Sequence, residues 1–294
     1  MIAHIEREVL DGTGKPMTDF RLLRAKSGVH VYRCVYDGMP AIAKYFEREE
    51  DRREIRNYRM LQACGVPTIP TYVLGESVIV MEDIARSSAW RLGTADDMCN
   101  TNVATGLGRW YFALHEAGEH VPQLQSLYFE YDEITWENLL DLSGRLPEAA
   151  AFFRFILDHF DALRAHIEKP DCTFTYNDFH WTNFIVSQNG QAALMFDYNL
   201  MGRGYRYADF RNLQSLSDEA YEAFASEYER LYRQKHGCGR EEAAREEAQI
   251  DAIAAPLFAL MAAYQQEEFP DWATEEKQKV LDGTLFTLAR ELLQ

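Results

Sequence analysis

Apolar and polar positions alternate in two different ways along this chain, and the change falls near residue 82. Before it, FRLLRAKS (20–27), HVYRCVYDG (30–38), AIAKYF (41–46), TYVLG (71–75) and SVIVMED (77–83) are short runs rich in Val, Ile, Tyr and Phe, the composition of strands. Gly28 separates the first two, and Asp37-Gly38 is a hairpin signal. The stretch EREEDRREIRNYRMLQACG (47–65) reads instead as a helix. Its apolar residues Ile55, Tyr58 and Leu61 recur every third position, and Gly65 stops it ahead of Pro67.

Beyond residue 82 the pattern predicts amphipathic helices over about 95–118, 147–168, 212–236, 240–265 and 273–293. One β-type stretch interrupts them, TFTYNDFHWTNFIVSQNGQAALMFDYN (173–199), in which Asn189-Gly190 turns FIVS back onto AALMF. The predicted fold class is α+β and bilobal. A small β-rich lobe with one helix spans residues 1–82, a hinge follows at 81–84, and a large, mostly helical lobe, 83–294, carries one polar hairpin.

That hairpin changes the picture from fold to chemistry. Asp178 and Asn183 lie among Phe179, Trp181 and Phe184, where an unpaired buried polar group would cost a few kcal/mol. The second strand delivers Asp197 at its end, beside Asn183. One carboxylate and one carboxamide suit Mg²⁺, which takes hard oxygen ligands and keeps several waters. Asp178 then remains to orient a hydroxyl nucleophile or take its proton. Upstream, Lys44 sits mid-strand in AIAKYF, a costly place for an ammonium unless an anion meets it. Glu54 on the following helix is its candidate partner, with Glu50 as a rival, and nucleotide phosphates suit its remaining donors.

Composition narrows the partners. The chain has 294 residues, 47 acidic against 30 basic, for a formal net charge of −17. Such a balance repels nucleic acids and anionic membranes and favours cationic small molecules. Its five cysteines are scattered without a C-x-x-C, which argues against a disulfide framework or structural zinc and fits a cytoplasmic protein. No stretch reads as a signal peptide or a membrane span.

The motifs in order resemble the protein-kinase-like fold, and within it the aminoglycoside phosphotransferase and choline kinase group. The group's loop H-G-D-x-H-x-x-N is similar to Tyr176-Asn177-Asp178-Phe179-His180-Trp181-Thr182-Asn183. Its metal segment resembles Phe196-Asp197-Tyr198-Asn199 followed by Gly204 to Phe210, which contains Asp209. Leu114-His115-Glu116-Ala117-Gly118 looks like its L-H-x-x-G, with His115 structural. The resemblance implies a kinase using ATP or GTP with Mg²⁺. Lys44, Glu54, Gly28 and the backbone of Glu82 to Ile84 would bind nucleotide, Asn183 and Asp197 the metal, and Asp178 would be catalytic. Two departures stand out. Tyr176-Asn177 replaces His-Gly, so the backbone freedom of that glycine is expected to be missing, and the phosphate loop holds only Gly28.

The acceptor is less legible. DEITWENLLDL (132–142) and QQEEFPDW (265–272) combine acids with tryptophan, a composition suited to a cationic substrate. Asp132, Glu133, Trp136, Glu267, Glu268 and Asp271 are therefore the acceptor candidates. An aminoglycoside-type acceptor is the leading expectation. Choline, ethanolamine or another metabolite, or a catalytically silent nucleotide-binding protein on the same fold, are the alternatives.

Overall fold

The structure, a computed structural model, describes residues 1–119, 121–122 and 124–294. Contacts divide the chain into two compact units, each assembled from three segments. The first comprises Met1–Val121, Tyr176–Met201 and Phe210–Gly239; the second comprises Pro122–Thr175, Gly202–Asp209 and Arg240–Gln294.

The first unit opens with helix α1 (Ile2–Thr13), which the charged N-terminal sequence did not announce. Strands β1 (Met17–Lys26), β2 (Val29–Tyr36) and β3 (Met39–Phe46) follow. Both connections are two-residue turns with positive φ at each position: Ser27 (50°) and Gly28 (82°), then Asp37 (49°) and Gly38 (79°). This geometry matches the twist of the strands it joins. Helix α2 (Arg53–Ala63) leads to β4 (Thr71–Leu74) and β5 (Val78–Glu82), so residue 82, the expected lobe boundary, closes a strand inside this unit. The sheet is antiparallel in the order β1-β2-β3-β5-β4. Ile5 and Val9 of α1 bury one face of it against Tyr32, Cys34, Tyr36, Ala41, Ala43 and Val80. The expected positions Ile55, Tyr58 and Leu61 form the buried side of α2.

Strand β6 (Trp90–Leu92), unmarked in the sequence, pairs with the polar hairpin described below. Helix α3 (Thr101–Gly118) starts later than expected. Thr94 and Asp97 close a capping box around a tight turn at Ala95–Cys99, and Asn100 then caps the helix proper.

The second unit contains α4 (Trp136–Arg145), α5 (Ala150–Asp158) and α6 (Phe160–Glu168). The predicted helix over 147–168 is thus two, broken at His159, whose φ of −115° is not helical. Strand β7 (Thr173–Thr175) belongs here, while β8 (Phe184–Ser187) and β9 (Ala193–Met195) return to the first unit as the hairpin foreseen at Asn189-Gly190. Strand β10 (Gly202–Gly204) pairs with β7 in the second unit. Helix α7 (Arg206–Asn212) is followed by α8 (Asp218–His236) in the first unit, capped by Ser217. Helices α9 (Glu241–Ala263), α10 (Thr274–Leu281) and α11 (Thr284–Leu293) complete the second unit. Gly283, at φ 83°, separates the last two, which the periodicity predicted as one. This unit has its own core, from Phe152, Phe153, Leu163, Ile253, Leu257 and Leu285 among others.

Within the first unit α3 seats the hairpin. A Cβ on Gly106 would lie 2.7 Å from the backbone of Ala193, and one on Gly108 the same distance from the Phe224 carbonyl of α8. Glycine at these positions lets α3 press directly on β9 on one side and α8 on the other.

Candidate active site

Lys44 occupies the middle of β3, opposite Val31 on β2 and Ile79 on β5. No water reaches most of its side chain, and its ammonium is instead shared by two carboxylates. Nζ lies 2.6 Å from Glu54 and 2.9 Å from Asp197, which is 153 residues distant in sequence. Glu54 is buried on α2, whereas the rival Glu50 is exposed and pairs with Arg48. Burial would lower the Lys44 pKa, but the two acids beside it win and raise it, so it stays a cation. Burial pushes the Glu54 carboxyl up to about 7, against the pull of Lys44.

Asp197 follows β9 in the left-handed region, φ 62° and ψ 68°. Asp lacks the freedom of glycine there, and such strain persists only where the surroundings fix it. Several bonds do so. The Phe196 N–H donates to the Asn183 carbonyl at 2.8 Å. The Tyr176 hydroxyl donates to the Phe196 carbonyl from a fully buried ring, edge-on to Trp110. From α2, Asn57 Nδ2 donates to the Tyr198 carbonyl at 2.7 Å, Tyr58 packs edge-on against Tyr198, and Arg53 Nε donates to Asn199 at 2.9 Å. The helix that carries Glu54 therefore also clamps the segment that carries Asp197. The sequence analysis missed Asn57; its only signal was a polar residue on the apolar face of a helix.

Asp178 is half-buried, and Asn183 Nδ2 donates to its carboxylate at 2.8 Å and to its carbonyl at 3.1 Å. Burial first, then the charge of Asp197, raises the Asp178 pKa; the Asn183 bond works against them. The carboxylate thus holds a proton more readily than a solvated aspartate does. His180 is exposed and bonds its neighbour Thr182 at 2.8 Å.

Asn177 corrects one expectation. The glycine-like conformation is retained, at φ 65°, by an asparagine whose Nδ2 donates to the Leu200 carbonyl at 3.2 Å. Asn tolerates the left-handed region better than other residues with a Cβ, because its short amide can bond nearby backbone.

A cavity of about 420 Å³ opens over Lys44, bordered also by Val31, Ile42, Met81, Phe196 and Asp197. This volume lies within the range of small-molecule pockets. Ser27 and Val29 border it on either side of Gly28, which forms the turn tip. Glu82 and the buried Ile84 continue the chain from Met81. Between them, buried Asp83 takes a 2.7 Å contact from Arg33.

The acceptor candidates all belong to the second unit. Asp132 is ion-paired with Arg203 at 2.8 Å and Arg164 at 3.7 Å. Glu133 neighbours it, half-buried, and Trp136 begins α4 with its ring edge-on to Phe160. Glu267 and Glu268 are exposed after α9, and Asp271 is exposed in the turn before α10. Buried Asp209 lies in the first turn of α7, and His115 is buried with Nδ1 2.8 Å from the Tyr228 hydroxyl.

Comparison with curated protein sequences gives no match. Solved structures with the same fold include an ethanolamine kinase from Plasmodium vivax, 13% identical, with a TM-score of 0.57 over 92% of this chain and 84% of that one. A spectinomycin phosphotransferase in complex with ADP and spectinomycin is 14% identical, with a TM-score of 0.53 over 99% and 98%. A choline kinase from Cryptosporidium parvum is 12% identical, with a TM-score of 0.56 over 94% and 96%. The model of the phosphotransferase enzyme family matches residues 19–248, a span that includes every group gathered around Lys44 and the hairpin, and the chain belongs to that family.

Proposed function

We propose that the chain is a small-molecule kinase that transfers the γ-phosphoryl group of ATP or GTP to a hydroxyl of a cationic acceptor. The observation that carries this reading is the Lys44 ammonium held between Glu54 and Asp197 at the wall of the cavity. An ammonium has three donors, two of which are engaged here, and a phosphate oxygen suits the third.

The donor set also fits Mg²⁺. Asp197 offers the oxygen not bonded to Lys44, on a side chain that is 37% exposed, and Asn183 offers its amide oxygen. When bound, Mg²⁺ would supply positive charge to the phosphates, and Asp197 and Asn183 would hold it. This chain's residues do the rest by positioning. Lys44 binds phosphate and Glu54 keeps it aimed. Asn183 orients the Asp178 carboxylate, which takes the acceptor's hydroxyl proton on the oxygen that Asn183 does not engage. The raised pKa of Asp178 makes it the better base. In this reading residues 1–82, with Gly28 at the phosphate end and Glu82 to Ile84 at the base, serve the nucleotide; residues 83–294 serve catalysis and the acceptor.

The net charge of −17 supports a cationic acceptor, as do the ethanolamine and choline kinases among the structural neighbours. Asp132, Glu133, Trp136, Glu267, Glu268 and Asp271 are its candidate contacts. Five unpaired cysteines suit a cytoplasmic location, and no described helix is long and apolar enough to cross a membrane. The test is a coupled ADP-release assay over aminoglycosides, choline, ethanolamine and amino sugars, with Asp178→Ala as the control. Acceptor-dependent ADP release that disappears in Asp178→Ala while nucleotide binding persists supports the assignment. No release with any acceptor, or equal loss of nucleotide binding in the variant, removes it.

A further inference from the structure

We propose that Arg24 and Lys26 of β1 grip the nucleotide phosphates from the side opposite Lys44, taking the place of a glycine-rich phosphate loop. This inference rests on the kinase reading above and adds two residues to it. Three observations carry it.

The first is the loop itself. The connection between β1 and β2 is only Ser27-Gly28. The Ser27 carbonyl accepts from Arg48 at 2.9 Å and the Gly28 carbonyl from the Glu47 N–H at 2.9 Å, so the tip is braced from behind. A loop that cradles phosphate does so with a succession of free backbone N–H groups. The bracing bonds engage carbonyls and leave the N–H groups alone, but a two-residue turn has only two N–H groups of its own, so most of the charge must be met by other donors.

The second is a break in the alternation of β1. Leu22 pairs with Tyr32, but Arg24 pairs with Val31, so Leu23 is an extra residue. Tyr32 points into the core beneath α1, whereas Val31 borders the cavity. Without the bulge, an alternation continued from Leu22 would turn Leu23 to the cavity and send Arg24 and Lys26 to the other face. With it, Arg24, Val31 and Lys44 form one cross-strand row, and Lys26, Val29 and Phe46 form the next. Bulges that re-aim side chains are concentrated beside functional sites.

The third is charge. Both side chains border the cavity, and the carboxylates that line it are engaged elsewhere, Asp51 by Arg48 and Glu54 and Asp197 by Lys44, so that among the described residues none pairs with Arg24 or Lys26. Between them and Lys44 lie only Val29 and Val31, so an anion over this part of the sheet meets an apolar floor with cations on both sides. In a chain with 17 more acids than bases, two unpaired cations facing one cavity describe a site for a polyanion. A nucleoside triphosphate is the ligand of that charge which the proposed reaction requires.

The experiment is equilibrium titration of the full chain with ATP, AMP and adenosine, by calorimetry, at two salt concentrations. The parent is compared with the Arg24→Gln/Lys26→Gln double variant and with Arg56→Gln, an exposed α2 cation away from the cavity. The double variant is expected to bind ATP about tenfold more weakly, with a shallower salt dependence, because charge-assisted contacts to phosphate are lost. Adenosine binding should stay within about twofold, as expected when only exposed charges remote from the base are removed. Arg56→Gln should behave as the parent. Unchanged ATP affinity in the double variant, a loss equal for ATP and adenosine, or the same loss in Arg56→Gln each overturns the inference while leaving the kinase reading intact. A parent that binds no nucleotide overturns both.

Discussion

Replacing Asn177 tests whether the catalytic loop needs a left-handed residue at that point rather than an asparagine as such. Its φ of 65° sits where a Cβ costs roughly 1–2 kcal/mol, less for Asn. Its bond to the Leu200 carbonyl, exposed and 3.2 Å long, is worth about 0.5–1 kcal/mol. Asn177→Ala loses the bond and takes on the full strain, a combined loss of about 1.5–2 kcal/mol. Asn177→Gly loses the same bond and gives the unfolded chain about 0.4–1 kcal/mol of extra freedom, but its strain vanishes. Glycine is therefore expected to be the better replacement by about 1 kcal/mol, a melting difference of about 2–4 °C for a chain of this class. Asp178 follows directly, so turnover should report the same order: the glycine variant near the parent, the alanine variant lower by about tenfold or more. Thermal unfolding without ligand and steady-state turnover are the two assays. An alanine variant as stable and as active as the glycine variant refutes the reasoning.

Three further outcomes follow from the site and its supports. Asp197→Ala should abolish the Mg²⁺-dependent part of nucleotide binding in calorimetry, and metal dependence that survives would place the ion elsewhere. Turnover should fall about tenfold per pH unit once the pH drops below the raised Asp178 pKa, because only the ionised carboxylate accepts a proton; a flat acidic limb would remove Asp178 as the base. Arg91 clamps buried Asp97 through two contacts of 2.6 Å. Burial alone would raise the Asp97 pKa, but Arg91 and Thr94 bring it below the ordinary value of 3.8. Its stabilisation is present above that value and is lost as the pH falls through the lowered folded pKa. Arg91→Met should cost about 1–2 kcal/mol, since the Arg91 side chain is 38% exposed and solvent screens the pair, and should move acid unfolding to higher pH, as chemical denaturation across a pH series would record; an unchanged acid midpoint would contradict this.

The parts of the site that could be read from sequence are those whose polarity conflicts with their surroundings. Lys44 in an apolar strand and Asp178, Asn183 and Asp197 among aromatics announce a cost that only a partner removes. The five strands of the first sheet and the Asn189-Gly190 hairpin were legible because turn chemistry is local, whereas β6 and β10 carried no such mark. Helix ends were less so. Thr94 and Asn100 both cap, and nothing in the periodicity says that the first cap ends in a tight turn and only the second opens α3. Arg24 and Lys26 were invisible because alternation assigns faces only while it is unbroken, and the bulge at Leu23 leaves no mark in residue type. Asn177 was misread for the opposite reason. The residue type was noticed, but glycine's conformational role was taken to belong to glycine alone.

The composition of the first unit has a consequence for how the protein is made. Met1–Val121 is synthesised long before Tyr176–Met201 and Phe210–Gly239, so the sheet emerges from the ribosome before its carboxylate partner and before α8. Until then Lys44 has only Glu54, and α3 shows its buried row of Trp110, Tyr111 and Leu114 to whatever is nearby. A contact spanning 153 residues cannot form early, and such chains fold slowly and expose sticky surface while they wait. A chain that ends before Gly239 lacks part of this unit, however much of the sheet it already carries.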